Sequence, residues 1–282
     1  MGEGNSAKKT FNTPEGAFTV FSIYQRQAAT CGFHMKGRTI LNIGAGDLIG
    51  LDILFLLSGA RRVISIDLQP GNYHYPRVSG QSPFFERLWG IVSEAGMAYG
   101  PVPWEGILMR NGGDPRYNTD RLFRLSPSSA CHLPLKNDCV DFAFSNAVFE
   151  HIEDPEGAIE EIARTLSPGG QTMHRVDLRD HRDFSKPLEF LKPREPSGGC
   201  NLWRAHQFEE AFKNCGLEVR LFDVFDQFRV TREKRGAFKK PFNNLSCREL
   251  GKLRFMIYAV KNTSPRVQRQ DHDPVYGKTV AQ

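Results

Sequence analysis

The chain has 282 residues, 40% apolar, 24% charged and 11% aromatic, with a formal net charge of +5. That length and balance can fill a sizeable core, suit one domain with insertions, and exclude a disordered chain, a collagen-like repeat or a coiled coil. No apolar run approaches the roughly 18 residues that cross a bilayer, and the N-terminus lacks the apolar stretch of a secretory signal. The basic surplus is local, at Lys8–Lys9, Arg229–Lys240 and Lys261–Arg269, and reads as solvated surface rather than as a nucleic-acid groove. Six cysteines without a CxxC pair or zinc spacing read as free thiols of a cytoplasmic protein.

In chain order, Thr13 and Pro14 open a predicted amphipathic helix over 14–34. A strand at 38–43 ends in the turn Gly44-Ala45-Gly46, a helix over 48–58 closes on Gly59, and a second strand at 63–66 stops at Asp67. Strand, glycine turn, helix, strand and acid make a βαβ unit. The proline-rich stretch that follows carries one clear helix at about 83–95. It is too long for a plain connection and reads as an inserted cap or substrate-facing segment over 71–126. Regularity returns with a strand at 140–145, a helix at 154–166, the stop Pro168-Gly169-Gly170 and a strand at 171–178. A helix at 208–215 and strands at 218–225 and 254–261 complete the pattern. The expected organisation is an N-terminal helical segment 1–37, a domain over 38–262 and a polar tail 263–282. Alternating strands and helices predict an α/β doubly wound sheet.

In such a sheet the ligand lies at the carboxyl ends of the strands. The turn Asn42-Ile43-Gly44-Ala45-Gly46 lets backbone approach a ligand closely, and Asp67 is placed to accept from a ribose diol. A Gly-x-Gly followed by an acid about 20 residues later describes nicotinamide and S-adenosylmethionine binders alike. Residues 130–170 separate them. Leu133-Pro134-Leu135, Val140-Asp141, the strand to Ser145, Glu150-His151, the helix from Pro155 and Pro168-Gly169-Gly170 resemble class I S-adenosylmethionine-dependent methyltransferases of the methyltransferase-11 type.

That resemblance covers about residues 38–262. It implies a Rossmann-like sheet, mostly parallel with an antiparallel last strand, and S-adenosylmethionine as cofactor. It also implies that Gly44 and Gly46 line the methionine moiety, with the Asn42 side chain toward that end, that Asp67 meets the ribose and that Ser129, Ala130 and Cys131 reach the adenine, with Leu68 a further cofactor contact. Ser145 and Asn146 fall under the sulfonium. Asn42 and Ser129 stand where such enzymes usually carry acids, which keeps a non-catalytic cofactor-binding protein as one alternative. An RNA or protein methyltransferase is another.

Methyl transfer to a hydroxyl needs a base near the acceptor. His174, Asp177 and His181, clustered at the end of the strand at 171–178, are the candidates, with Asp177 or His181 favoured. Trp203 and Arg204, just before a helix, are candidates for stacking on and clamping a sugar or aromatic acceptor. His151 lacks the first acid of a metal-binding E-x-x-E-H stretch and reads as a support. A metal site built from His174, Asp177 and His181 is the lesser alternative, so no metal is expected. The expected partner is a small-molecule hydroxyl acceptor, with a homodimer possible, no membrane, and nucleic acid disfavoured.

Overall fold

A computed structural model describes residues 13–46, 49–69, 83–96, 108–111, 114–117 and 120–263. The first helix, α1 (Pro14–Thr30), starts where Thr13 Oγ1 accepts the Gly16 N–H at 3.1 Å. It ends earlier than the sequence pattern suggests, because Gly32 turns the chain at φ +78°. One face, Ala17, Val20, Phe21, Tyr24 and Ala28, is buried.

The βαβ unit is present as β1 (Thr39–Ile43), α2 (Ile49–Leu57) and β2 (Arg62–Ile66). Next come α3 (Pro83–Glu94), an antiparallel pair β3 (Leu108–Asn111) and β4 (Asp114–Tyr117), and then β5 (Leu122–Leu125). The second half holds β6 (Val140–Asn146), α4 (Pro155–Thr165), β7 (Leu166–Asp177), α5 (Ala205–Asn214) and β8 (Leu217–Gln227). Two short helices, α6 (Arg232–Gly236) and α7 (Cys247–Leu250), precede β9 (Lys252–Lys261).

Seven strands form one sheet in the order β5-β2-β1-β6-β7-β9-β8. The strands from β5 to β7 run parallel, and β9 lies antiparallel to both neighbours. Both faces are covered, which is why β1 is buried along its whole length. Alternate strand residues feed two cores: Ile40 and Phe142 join α1, α2 and α3 on one side, and Leu41 and Ile43 join α4 and α5 on the other. From β1 the chain builds outward to β2 and β5, then returns to add β6 and β7 on the opposite side. The strand order therefore reverses between β1 and β6, and a crevice opens at their carboxyl ends.

The structure redraws the expected insertion over 71–126. Residues 122–125 belong to the sheet, where β5 pairs in parallel with β2 from Val63–Leu122 to Ile66–Leu125. Four residues, one of them Arg124, are too few to show a period in the sequence. Within the same stretch α3 sends Leu88 and Val92 into the α1 core, with Trp89 packed against it. Residues 70–82, 97–107, 112–113 and 118–119, and the tail after Thr263, lie outside the described residues.

Candidate active site and cofactor cleft

The cleft starts at the turn after β1. Gly44 and Gly46 both have left-handed backbone, at φ +67° and +55°. A Cβ on Gly44 would meet Val148 Cγ2 at 2.4 Å, so only glycine lets this turn pass the segment that follows β6. The Gly46 N–H donates to Asp67 Oδ2 at 2.8 Å, and the Gly46 carbonyl accepts from Arg124 Nη2 at 2.6 Å. Asp67 Oδ1 accepts the Gln69 N–H at 2.9 Å. A carboxylate has about four acceptor positions, so two remain for a pair of ribose hydroxyls.

Leu68, beside Asp67, is 66% exposed, an unusual state for a leucine at the mouth of a cleft. The loop after β5 closes against the same edge, with the Ser128 N–H donating to the Asp67 carbonyl at 2.8 Å. In that loop Ser129 Oγ accepts the Cys131 N–H at 3.2 Å. At the end of β6, Asn146 Oδ1 is buried without a hydrogen-bond partner, next to Ala147 at φ +55°. Gly44, Gly46, Asp67, Leu68, Ser129, Ala130 and Asn146 thus converge on the carboxyl edge of β1, β2, β5 and β6. A carboxylate with two open acceptor positions, an exposed leucine and an orphan acceptor at the β6 end fit an adenosyl cofactor with a cationic centre.

Asn42 does not join them. It is 3% exposed and donates from Nδ2 to Asp52 Oδ1 at 2.8 Å, beneath the turn. Asp52 is fully buried, accepts Ser65 Oγ at 2.5 Å and faces Arg124 Nη1 at 3.7 Å. Burial raises the Asp52 pKa, with Ser65, Asn42 and Arg124 opposing it. Asn42 therefore braces the turn rather than lining the cleft, and α2 supplies the acid that strand β1 lacks. A second carboxylate at position 42 would face Asp52 in a dry site, where like charges repel. The signals for Asp52 and Arg124 were visible as single charges inside the apolar runs IGLDILFLL and LFRL.

The residues expected to meet an acceptor lie at and beyond the end of β7, and here two expectations are corrected. His174 is fully buried between Ser145, whose Oγ lies 2.7 Å from Nδ1, and Thr172, whose Oγ1 meets Nε2. Thr172 commits its own proton to the Ala143 carbonyl, so Nε2 carries the ring proton and Nδ1 accepts from Ser145. Phe149 and Phe212 flank the ring. Burial pushes the His174 pKa down to about 3. It is a neutral core histidine and no proton carrier for an acceptor.

This makes a prediction with a definite sign. The unfolded chain protonates His174 below about pH 6.5 and the folded chain does not, so stability falls as pH drops from about 6.5 toward 3. His174→Gln, which cannot titrate, should lose about 2–3 kcal/mol less than wild type between pH 7 and 4.5 in urea unfolding. Equal losses would contradict the assignment.

Arg204, expected to clamp an acceptor, is also fully buried. Its Nη1 donates to the Leu178 carbonyl at 3.1 Å, and its Nη2 to the carbonyls of Leu250 and Lys252 at 3.2 and 2.9 Å. It staples the end of β7 to α7 and β9. Trp203 is partly buried, with its ring 5.2 Å from Phe208 and packed on the second core.

Asp177 and His181 do reach the rim. Asp177 accepts from Arg179 Nε at 2.8 Å and Nη2 at 2.5 Å. Burial pushes its pKa up, but the bonds from Arg179, with the His181 ring nearby, outweigh this and hold the carboxyl well below the usual range. A carboxylate held that low is a poor proton acceptor. His181 Nε2 is buried without a hydrogen-bond partner, 3.9 Å from Asp177 Oδ1. Its ring lies 4.8 Å from that of His151 and 5.7 Å from Phe184, which is 46% exposed. The Arg179 guanidinium sits 4.3 Å over the Phe184 ring.

Three further residues shape the rim: His151, read from the sequence as a support, and Asn201 and Glu150, whose roles sequence reasoning missed. His151 is exposed, and its Nδ1 lies 3.1 Å from the Gly199 carbonyl. Asn201 holds the 149–152 turn by donating from Nδ2 to the carbonyls of Phe149 and Ile152, both at 2.7 Å. Glu150 is 1% exposed, and burial pushes its pKa up to about 8.

The strand order and the antiparallel β9 make a Rossmann-like α/β sheet with its crevice at the β1–β6 switch point. A methyltransferase domain model matches residues 22–221, and the chain belongs to that family of S-adenosylmethionine-dependent methyltransferases. No curated protein matches it in sequence. Among solved structures it is similar to a candidate sarcosine dimethylglycine methyltransferase from Galdieria sulphuraria. Those two chains are 17% identical over 89% of this one and 87% of that one, with a TM-score of 0.52. It is also similar to an S-adenosylmethionine-dependent methyltransferase from Mesorhizobium loti, 15% identical over 83% and 96% of the two chains, at a TM-score of 0.46. A third similar chain comes from the complex of the Haloferax volcanii Trm112 methyltransferase activator with a candidate methyltransferase. It is 17% identical over 90% and 91%, at a TM-score of 0.47. Among the described residues no helix is long and apolar enough to cross a membrane.

Proposed function

We propose that this methyltransferase acts on a hydroxyl group of a small molecule, of the sugar, glycan-precursor or secondary-metabolite kind, bound at the rim of His151, His181 and Phe184. S-adenosylmethionine, when bound, supplies an electrophilic methyl group on its sulfonium. Gly44, Gly46, Asp67, Leu68, Ser129, Ala130 and Asn146 hold it at the carboxyl edge of the sheet, with Asn42 bracing the turn from below. The observation that carries the acceptor reading is the unpartnered His181 Nε2. It lies four residues past the end of β7, 3.9 Å from Asp177 Oδ1, with the His181 ring against that of His151. His181 takes the acceptor hydroxyl proton as oxygen attacks the methyl carbon and the carbon–sulfur bond breaks, and the Asp177 carboxylate, locked by Arg179, stabilises the imidazolium that forms. The exposed Phe184 ring, backed by Arg179, offers a stacking face for a sugar or aromatic ring. The six free thiols suit a reducing compartment such as the cytoplasm.

The test is methyl transfer from isotope-labelled S-adenosylmethionine to a panel of hydroxylated acceptors, with products located by mass spectrometry. His181→Ala should lower turnover about 100-fold or more at unchanged cofactor affinity. Methylation at an amine nitrogen, or full turnover by His181→Ala, would contradict the reading.

A further inference from the structure

Beyond methyl transfer, the rim carries a ligand set of its own. His151, His181 and Cys200 each offer one donor atom, and the three atoms lie within 4.8 Å of one another. We propose that these three side chains bind a divalent transition metal of the zinc type.

The residues come from three separate segments. His151 ends the short turn after β6, His181 follows β7, and Cys200 lies in the loop that Asn201 pins to the 149–152 turn. Two imidazoles and a thiolate are a borderline-soft set that suits zinc or cobalt and is unsuited to magnesium or calcium.

The second shell is in place as well. The Gly199 carbonyl accepts the His151 Nδ1 proton, which leaves Nε2 with its lone pair, as a ligating imidazole requires. His181 Nε2 has no hydrogen-bond partner, a costly state for a buried polar atom that a metal would relieve.

Tetrahedral zinc places its ligand atoms about 3.5 Å apart, so the cluster must tighten by roughly an ångström, and the exposed His151 ring has the freedom to do so. Three protein ligands leave one position open, on the His151 side where the cluster meets solvent.

A metal there takes up the His181 lone pair, so by the acceptor reading above, on which this consequence rests, occupancy opposes methyl transfer. Binding itself needs no acceptor to be measured. Chelator-stripped, full-length protein is titrated with cobalt(II) alone. The expected result is one equivalent bound with a thiolate-to-cobalt charge-transfer band that zinc(II) abolishes by displacement. Cys200→Ser should lose the band while keeping wild-type circular dichroism and S-adenosylmethionine affinity. His151→Gln, at an exposed position, should weaken binding roughly 10-fold or more. Absence of the band in wild type, or its persistence in Cys200→Ser, would overturn the proposal. Zinc should also lower methyl transfer by wild type and not by Cys200→Ser. Equal loss in both would overturn the link to catalysis while the cobalt spectrum still decides the site.

Discussion

Arg204→Ala should lower the unfolding free energy by about 3–5 kcal/mol, with a melting temperature lower by roughly 10 °C. The guanidinium is fully buried and donates to three backbone carbonyls, of Leu178, Leu250 and Lys252. Burial pulls its pKa down to about 10, with Glu249 opposing, so it stays protonated at neutral pH. Truncation strands three carbonyls in a dry site at about 1–3 kcal/mol each, less what water recovers, and leaves a cavity. Arg204→Lys should recover little, because one ammonium cannot reproduce the planar fork that spans β7, α7 and β9. S-adenosylmethionine affinity of the folded fraction should be unchanged. A variant with wild-type melting temperature and lost turnover would return Arg204 to the acceptor-clamping role that its sequence position suggested.

The contrast between Arg204 and Asp67 shows what the sequence could carry. The place of Asp67 at the β2 end, against the glycine turn, was legible because a short apolar strand ended in an acid after that turn, a local pattern tied to one place in the sheet. The same holds for Gly44 and Gly46, whose positive φ values are the physical reason for glycine there. Arg204 and His174 were misread because a polar residue near a strand end can point either to the cleft or inward. Only the tertiary partners decide, and here they are carbonyls 26 and 46–48 residues away for Arg204 and the hydroxyls of Ser145 and Thr172 for His174. The strand β5 was hidden by its length. The cluster of His151, His181 and Cys200 was hidden for a different reason: its members lie on three segments with no ligand spacing, and the loop around Asn201 alone brings Cys200 to the histidines.

Asp67→Ala is the second large effect. Its carboxylate braces the glycine turn through the Gly46 N–H and keeps two acceptor positions for the ribose. Two charge-assisted hydrogen bonds at about 1.5–3 kcal/mol each put the expected loss at about 100-fold in cofactor affinity or more. Asp67→Asn keeps an oxygen for the Gly46 N–H and loses the charge, so it should fall between wild type and alanine. The melting temperature of either variant should change far less than that of Arg204→Ala, because Asp67 sits at the cleft mouth rather than in the core.

Titration calorimetry of the wild type and Asp67→Ala with S-adenosylmethionine and S-adenosylhomocysteine therefore tests the central claim most directly. One site in the wild type for each ligand, weakened about 100-fold or more by Asp67→Ala, is the predicted result. Binding that is equal in the two proteins, or absent from the wild type, would contradict it.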